Sequence, residues 1–307
     1  MVVTLLAQAA TTAAPPPPTP AMSTSEAPAV THMYVPERVF DTRRKTFSDF
    51  EMMLADLARA DVVVVGEQHD DPNTHRLESA LLQGLLRRRV PVTVSLEMFE
   101  RDVQTTLDSY RGGSMSEEDF LKASRPWPRY RTDYRSLVEI AKAHGWPIVA
   151  ANVPRRLASE VAKAGKPALD RAQAAESALL AVDVRCPNDD YFERFAAQMG
   201  GHGAPDAPDA ERRATMERYY LSQCVKDETM AESIAAAFER QTGAGTIVHF
   251  NGAFHSDFGA GTAERVRRRL TGRRVAVVSI LPVADLDTLM PDGDDVRRAE
   301  YVIYTVK

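Results

Sequence analysis

Apolar positions along the chain follow two periods, and their alternation predicts an ordered series of strands and helices. Asp61 to Gly66 reads DVVVVG, a β-branched run ended by glycine, as expected for a strand buried on both faces of a parallel sheet. Asp71-Pro72 opens a helix with proline in its first turn and Leu77, Leu81 and Leu85 at i, i+4 and i+8. Val90 to Glu97 reads as a second strand, with Pro91 confined to its start. Helical patterns follow at Phe99 to Tyr110, at Ser116 to Ala123 with Ser116 as N-cap, and at Tyr130 to His144, closed by Gly145. Trp146 to Val153 predicts a third strand, after which Pro154 begins another helix.

From about Ala168 to Gln241 the strand signal disappears. A helix-prone segment runs from Ala210 to Gln241, preceded by the Gly-rich break Met199 to Gly203 and by Pro205 and Pro208. This section reads as a helical insertion packed over the sheet. Strand alternation returns at Thr246 to Gly252, followed by a helix at Thr262 to Leu270 and strands at Val275 to Val283 and Tyr301 to Val306. Strands and helices alternating at this spacing specify an α/β fold, a mostly parallel sheet with helices on both faces. No repeat of fixed period is visible.

Composition adds class limits. A chain of 307 residues, 44% hydrophobic and 26% charged, can bury an ordinary globular core. A net charge of -5 argues against nucleic acid as a partner, because phosphate neutralisation needs a basic face. The run Arg267-Arg268-Arg269 lies in a helical pattern and reads as a solvated helix face or helix end. No apolar run approaches the roughly 20 residues that span a bilayer.

The first 34 residues read as a signal remnant and a disordered spacer, with the folded domain over 35–307. Val2 to Ala10 resembles the end of a signal h-region, although no Lys or Arg precedes it, and Pro15 to Pro18, Pro20 and Pro28 follow. Export to the periplasm or outer membrane is therefore the expectation. The two cysteines, Cys186 and Cys224, are compatible with one bridge in an oxidising compartment, or with two buried thiols that never meet.

The chemistry concentrates at strand ends. Gly66-Glu67-Gln68-His69 ends one strand, Gly252-Ala253-Phe254-His255 ends another, and Glu97 ends the strand between them in sequence. Ligands of open α/β sheets sit outside the carboxyl ends of strands, so Glu67, His69, Glu97 and His255 are expected in one region. Two imidazoles and two carboxylates suit a divalent metal or acid–base catalysis. Taken singly, each of these residues is more often a hydrogen-bonded structural group. Asp70-Asp71 reads as helix-capping acid rather than as further ligands.

Several segments together resemble the ChaN-like haem-binding family: GEQHDDPNTH from Gly66, LEMFERDVQ from Leu96, Ala151 to Arg155, Met199 to Gly203, Lys226 to Ala231, and HFNGAFHSDFG from His249. The likeness covers roughly residues 36 to 285 in order. It implies a superfamily shared with TraB/TIKI proteins and erythromycin esterases, in which paired Gly-x-x-His motifs and acids form the active site. It also implies haem binding, iron uptake at the bacterial envelope, other envelope uptake components as partners, and a homodimer enclosing stacked haems. The family's type member is a lipoprotein, whereas no cysteine near this amino terminus is placed to accept a lipid.

Candidate axial ligands are Tyr130 and Tyr134, four apart on one predicted helical face, and His202 in its Gly-rich setting, with Trp127 as a flat contact for a porphyrin. The competing assignments are an aromatic stripe packed into the core and a surface loop. Covalent c-type attachment is excluded by the absence of a CxxCH motif. Two functions follow. One is non-covalent haem binding. The other is a hydrolase in which Glu67 or Glu97 activates water while His69 and His255 bind a metal or relay protons.

Overall fold

The run Val62–Val65 is apolar at every position because both of its faces are covered. Val63 and Val65 pack with Leu77, Leu81 and Leu85, whereas Val62 and Val64 pack with Met230, Ile234 and Val266. The computed structural model describes residues 35–199 and 208–307, so His202 lies outside the described residues.

The chain begins with β1 (Glu37–Asp41), β2 (Thr46–Ser48), α1 (Phe50–Leu57), β3 (Val62–Glu67), α2 (Pro72–Arg87) and β4 (Val92–Glu100). Next come α3 (Gln104–Arg111), α4 (Glu117–Ser124), α5 (Tyr130–Asp133), α6 (Arg135–Ala143), β5 (Ile148–Asn152), α7 (Arg155–Ala164) and α8 (Lys166–Glu176). The remainder is α9 (Asp190–Met199), α10 (Asp209–Arg240), β6 (Thr246–Gly252), α11 (Gly261–Arg269), β7 (Val275–Val283), α12 (Asp295–Arg298) and β8 (Tyr301–Val306).

The eight strands form one sheet in the order β2-β1-β8-β7-β3-β6-β4-β5, parallel except where β1 pairs with β2 and β8. Side chains of α1 to α6 fill one face and those of α10 and α11 the other. The protein is thus an α/β fold. Among the described residues of 168–241 there is no strand, and α10 lies on the sheet, where Ser233 Oγ donates to the carbonyl of Ala151. No helix among the described residues is long and apolar enough to cross a membrane.

Four expectations need correction. Strand β4 continues to Glu100, so Glu97 sits inside it, and the helix expected from Phe99 begins only at Gln104. Met98 and Phe99 are buried in the core, and β4 changes register against β5 after Leu96, with the Asn152 side chain donating to the Glu97 carbonyl across the gap. An apolar pair reads the same in either period, and packing chose the strand.

The helix expected over Tyr130 to His144 is broken at Tyr134, where φ is -110°. Tyr134 leaves the helix to reach Glu67, so Tyr130 and Tyr134 share no continuous helical face. Strands β1 and β2 were not legible, since β1 takes its inner partner from β8, far away in sequence, and β2 is a three-residue strand that pairs with β1.

The run Arg267–Arg269 is a helix end but not a solvated face. Arg268 and Arg269 both bind the buried carboxylate of Glu228, and Arg267 binds Glu300 at 3.1 Å. A buried anion held by several guanidinium groups is the reason the run turns inward. The question left open for the cysteines is answered by a Cys186–Cys224 disulfide, which ties the segment before α9 to α10.

Candidate functional site

Strand β3 ends on Glu67 and β6 on Gly252, and the two residues stand opposite each other in register. A tight approach is possible there because Gly66 lacks a side chain: a Cβ would lie 2.8 Å from Ser256 Oγ and 3.0 Å from Ala253 Cα. The turn after β3 carries His69, whose Nδ1 lies 2.5 Å from Glu67 Oε1. A carboxylate can only accept, so Nδ1 bears the hydrogen and Nε2 holds the lone pair. Arg129 secures this turn by donating to the His69 carbonyl and to Asp70 at 2.7 Å, while Asp71 caps α2 at Thr74 as expected.

The second half of the site lies across Gly252. Glu97 Oε2 accepts the Gly252 amide at 2.8 Å, and Glu97 Oε1 stands 3.4 Å from His255 Nε2. His255 Nδ1 lies 2.6 Å from Asp227 Oδ1 on α10. Asp227 also accepts from Thr262 and Tyr191, both at 2.8 Å. The structure therefore brings Glu67, His69, Glu97 and His255 around the ends of β3 and β6. It joins them as two acid–imidazole units, Glu67–His69 and Glu97–His255–Asp227.

Burial and charge set their protonation. Burial alone would lower the pKa of His255, but the charges of Glu97 and Asp227 outweigh it and push it up to about 10. Glu97 is raised by burial and lowered further by His255, reaching about 2. Glu67 follows the same logic: the hydrogen bond with His69 and the nearby His75 imidazole overcome burial and bring it to about 2. For His69 burial is again outweighed, here by Glu67, and its pKa rises. His255 is thus a cation at neutral pH and unsuited to act as a base. His249, buried on β6 beside Ser95, is pushed the other way by burial, to about 4.

A cavity of about 580 Å³ opens over this end of the sheet. Its walls include His69, Phe195, Met199, Phe254, Phe258, Arg194 and Arg298. The His69 side chain is 45% exposed, whereas His255, also in the lining, is buried, and Glu97 is buried beside it. A larger groove of about 820 Å³, lined by Pro91, Trp146 and Arg240, lies at the amino ends of β4 and β5. It gathers no cluster of titratable groups, and ligands of such sheets bind at the opposite end.

Two expected haem ligands do not reach the cavity. Tyr130 is buried against Phe99 and Phe120, and its hydroxyl has no partner among the described residues. Tyr134 is buried and donates to Glu67 Oε1 at 3.0 Å. Trp127 makes T-shaped contacts with His69 and Tyr134 and lines a separate cavity with Pro126, Pro128 and Arg155, not the one over β3 and β6. The core-stripe assignment of these aromatics is the one the packing satisfies. Asp227, Gln223, His75 and Glu78 were not singled out from sequence: Asp227 lies in the charged run Lys226-Asp227-Glu228, where nothing local marks it as buried, although His75 and Glu78 share a helix face.

The profile of the family described as haem-binding uptake, Tiki superfamily, ChaN matches residues 53–266. The chain belongs to this family. Its fold is similar to that of a solved structure reported as cofacial heme binding to ChaN of Campylobacter jejuni, with a TM-score of 0.65 and 18% identity over 88% of this chain and 97% of that one. An erythromycin esterase, EreC, in its open conformation is similar more distantly, with a TM-score of 0.45 and 13% identity over 88% of this chain and 83% of that one. No curated protein matches the sequence.

Proposed function

We propose that the protein binds haem non-covalently in the cavity over β3 and β6, as a homodimer serving haem or iron uptake at the bacterial envelope. The observation that carries this is the pairing of an accessible imidazole with apolar walls. His69 offers Nε2 while its Nδ1 is held by Glu67, the arrangement that orients an imidazole toward a metal. Phe195, Met199, Phe254 and Phe258 supply surface suited to a porphyrin, and Arg194 and Arg298 match carboxylate propionates. The residues present therefore fit the ligand. His202 follows Met199 closely in sequence and stays a second candidate ligand. Bound haem would supply the iron; the chain supplies the ligand nitrogen, the walls and the exclusion of water.

Haem titration of the purified protein, read by absorbance and by size-exclusion chromatography, tests this. A saturable Soret band with conversion to a dimer is expected, and His69→Ala should change the band. The absence of saturable binding would overturn the proposal.

A second reading is favoured by the buried Glu97–His255–Asp227 chain, which haem ligation does not require. In a hydrolase, Glu67 or Glu97 would activate water and the His255 cation would stabilise developing negative charge. Glu97→Gln should then abolish activity in an esterase and peptidase screen while the circular dichroism spectrum is unchanged.

A further inference from the structure

On the α2 side of the sheet lies a second cluster, in which Glu67 meets His75 and Glu78, two residues that neither function uses. Glu67 turns Oε1 to His69 and Tyr134, and Oε2 away from them toward α2. There Glu67 Oε2 stands 3.4 Å from His75 Nδ1, and Glu78 Oε2 stands 3.0 Å from the same nitrogen. One ligand atom from each of the three residues lies within 4.8 Å of the other two. All three side chains are buried.

We propose that Glu67, His75 and Glu78 form a site for a divalent first-row transition ion, with zinc as the representative. Glu67 Oε2 and Glu78 Oε1 are buried and have no hydrogen-bond partner among the described residues. Burying carboxylate oxygens unpaired is costly, so the pair calls for a cation between them. The imidazole is oriented for this. Its Nε2 lies 3.3 Å from the His69 carbonyl and 3.6 Å from Asp133 Oδ2, both acceptors, so Nε2 can keep its hydrogen while Nδ1, which bonds Glu78 Oε2 at 3.0 Å in the metal-free protein, gives its hydrogen up to present a lone pair to the ion. Three acceptors then converge on one small volume.

The spacing agrees. Ligand atoms about 2.1 Å from an ion, at angles between octahedral and tetrahedral, stand about 3.0 to 3.4 Å apart. One imidazole with two carboxylates suits zinc, manganese or ferrous iron. His75 and Glu78 meet because they are three apart on α2, which brings both to the same helix face. Metal ligands must be deprotonated, so binding releases protons. Because Glu67 keeps Oε1 on His69, an ion here would stiffen the residue that orients His69.

The test is a metal count made with haem absent throughout. The protein is unfolded with chelator, refolded with excess zinc, desalted and analysed by mass spectrometry. One zinc per chain is expected, released protons should appear in calorimetry, and the X-ray absorption edge should fit one imidazole with carboxylate oxygens. Glu78→Gln should weaken binding by at least about 100-fold, beyond the range of outer-sphere changes. His255→Asn should keep the zinc. No zinc in the refolded wild type, full zinc in a folded Glu78→Gln variant, or two imidazoles around the ion would each overturn the site. If Glu78→Gln does not refold, the absorption spectrum of the wild type decides alone. Failure to bind haem would leave the zinc count untouched, so the two conclusions stand or fall separately.

Discussion

His69 Nε2 lies 2.6 Å from the point that a Cβ on Gly252 would occupy, so the imidazole rests directly on the glycine that ends β6. The backbone there has φ -55° and ψ 134°, which any residue accepts. Gly252→Ala is therefore a steric probe of His69, the residue an added Cβ meets first. It should displace the ring at a stability cost of about 1–3 kcal/mol. Haem affinity should fall and the Soret band shift, with the circular dichroism spectrum unchanged. A variant with the parent's haem spectrum would remove His69 from the binding surface.

Haem binding should weaken as pH falls. The His69 pKa is raised, because Glu67 outweighs the effect of burial, and an iron ligand must shed that proton. Titrations from pH 9 down to pH 5 should show affinity declining on the acid side, with Glu67→Gln moving the decline to lower pH. A flat profile would contradict ligation by His69.

Stability should peak near pH 6.5. The folded pKa of His255, about 10, lies above the ordinary 6.5, so its contribution is complete below pH 6.5 and is lost as pH rises toward 10. Glu97, at about 2 against 4.5, contributes above pH 4.5 and loses that contribution as pH falls toward 2. His249, depressed to about 4, adds a further loss between pH 6.5 and 4. Thermal unfolding across this range tests the signs, and His249→Asn should flatten the loss between pH 6.5 and 4.

Tyr134→Phe should leave the Soret band unchanged while lowering stability. The hydroxyl donates to the buried Glu67 carboxylate, and such bonds to charged groups contribute about 1.5–3 kcal/mol. Denaturant midpoints measure the loss. A changed haem spectrum with unchanged stability would restore Tyr134 as an iron ligand.

The disulfide should support the α10 side of the site. Cys224 follows Gln223, whose side chain lies 3.2 Å from His255 Nδ1, and the bridge anchors the segment leading to Tyr191. Cys186→Ala with Cys224→Ala should cost about 2–4 kcal/mol. Thiol labelling of the unreduced wild type should find none free.

The sequence by itself determined the features that depend on neighbours along the chain. The β-branched run before Gly66 could only be a strand covered on both sides, and Ser116 and Asp71 are N-caps because their side chains reach amides three residues on. Glycines followed three residues later by histidine, at two strand ends, pointed to His69 and His255 at one end of the sheet.

Tertiary structure decided the rest, because the deciding contacts join residues far apart in sequence. Whether Met98-Phe99 continued a strand depended on the core waiting for them, and the helix at Tyr134 broke where a hydroxyl could reach Glu67. The fate of Arg268 and Arg269 rested on Glu228, forty residues or so earlier in the chain. The partners that set each charge, Asp227 for His255 and Glu78 for His75, act through burial. The cost of removing a carboxylate or imidazole from water is defined only once the surrounding elements have closed over it.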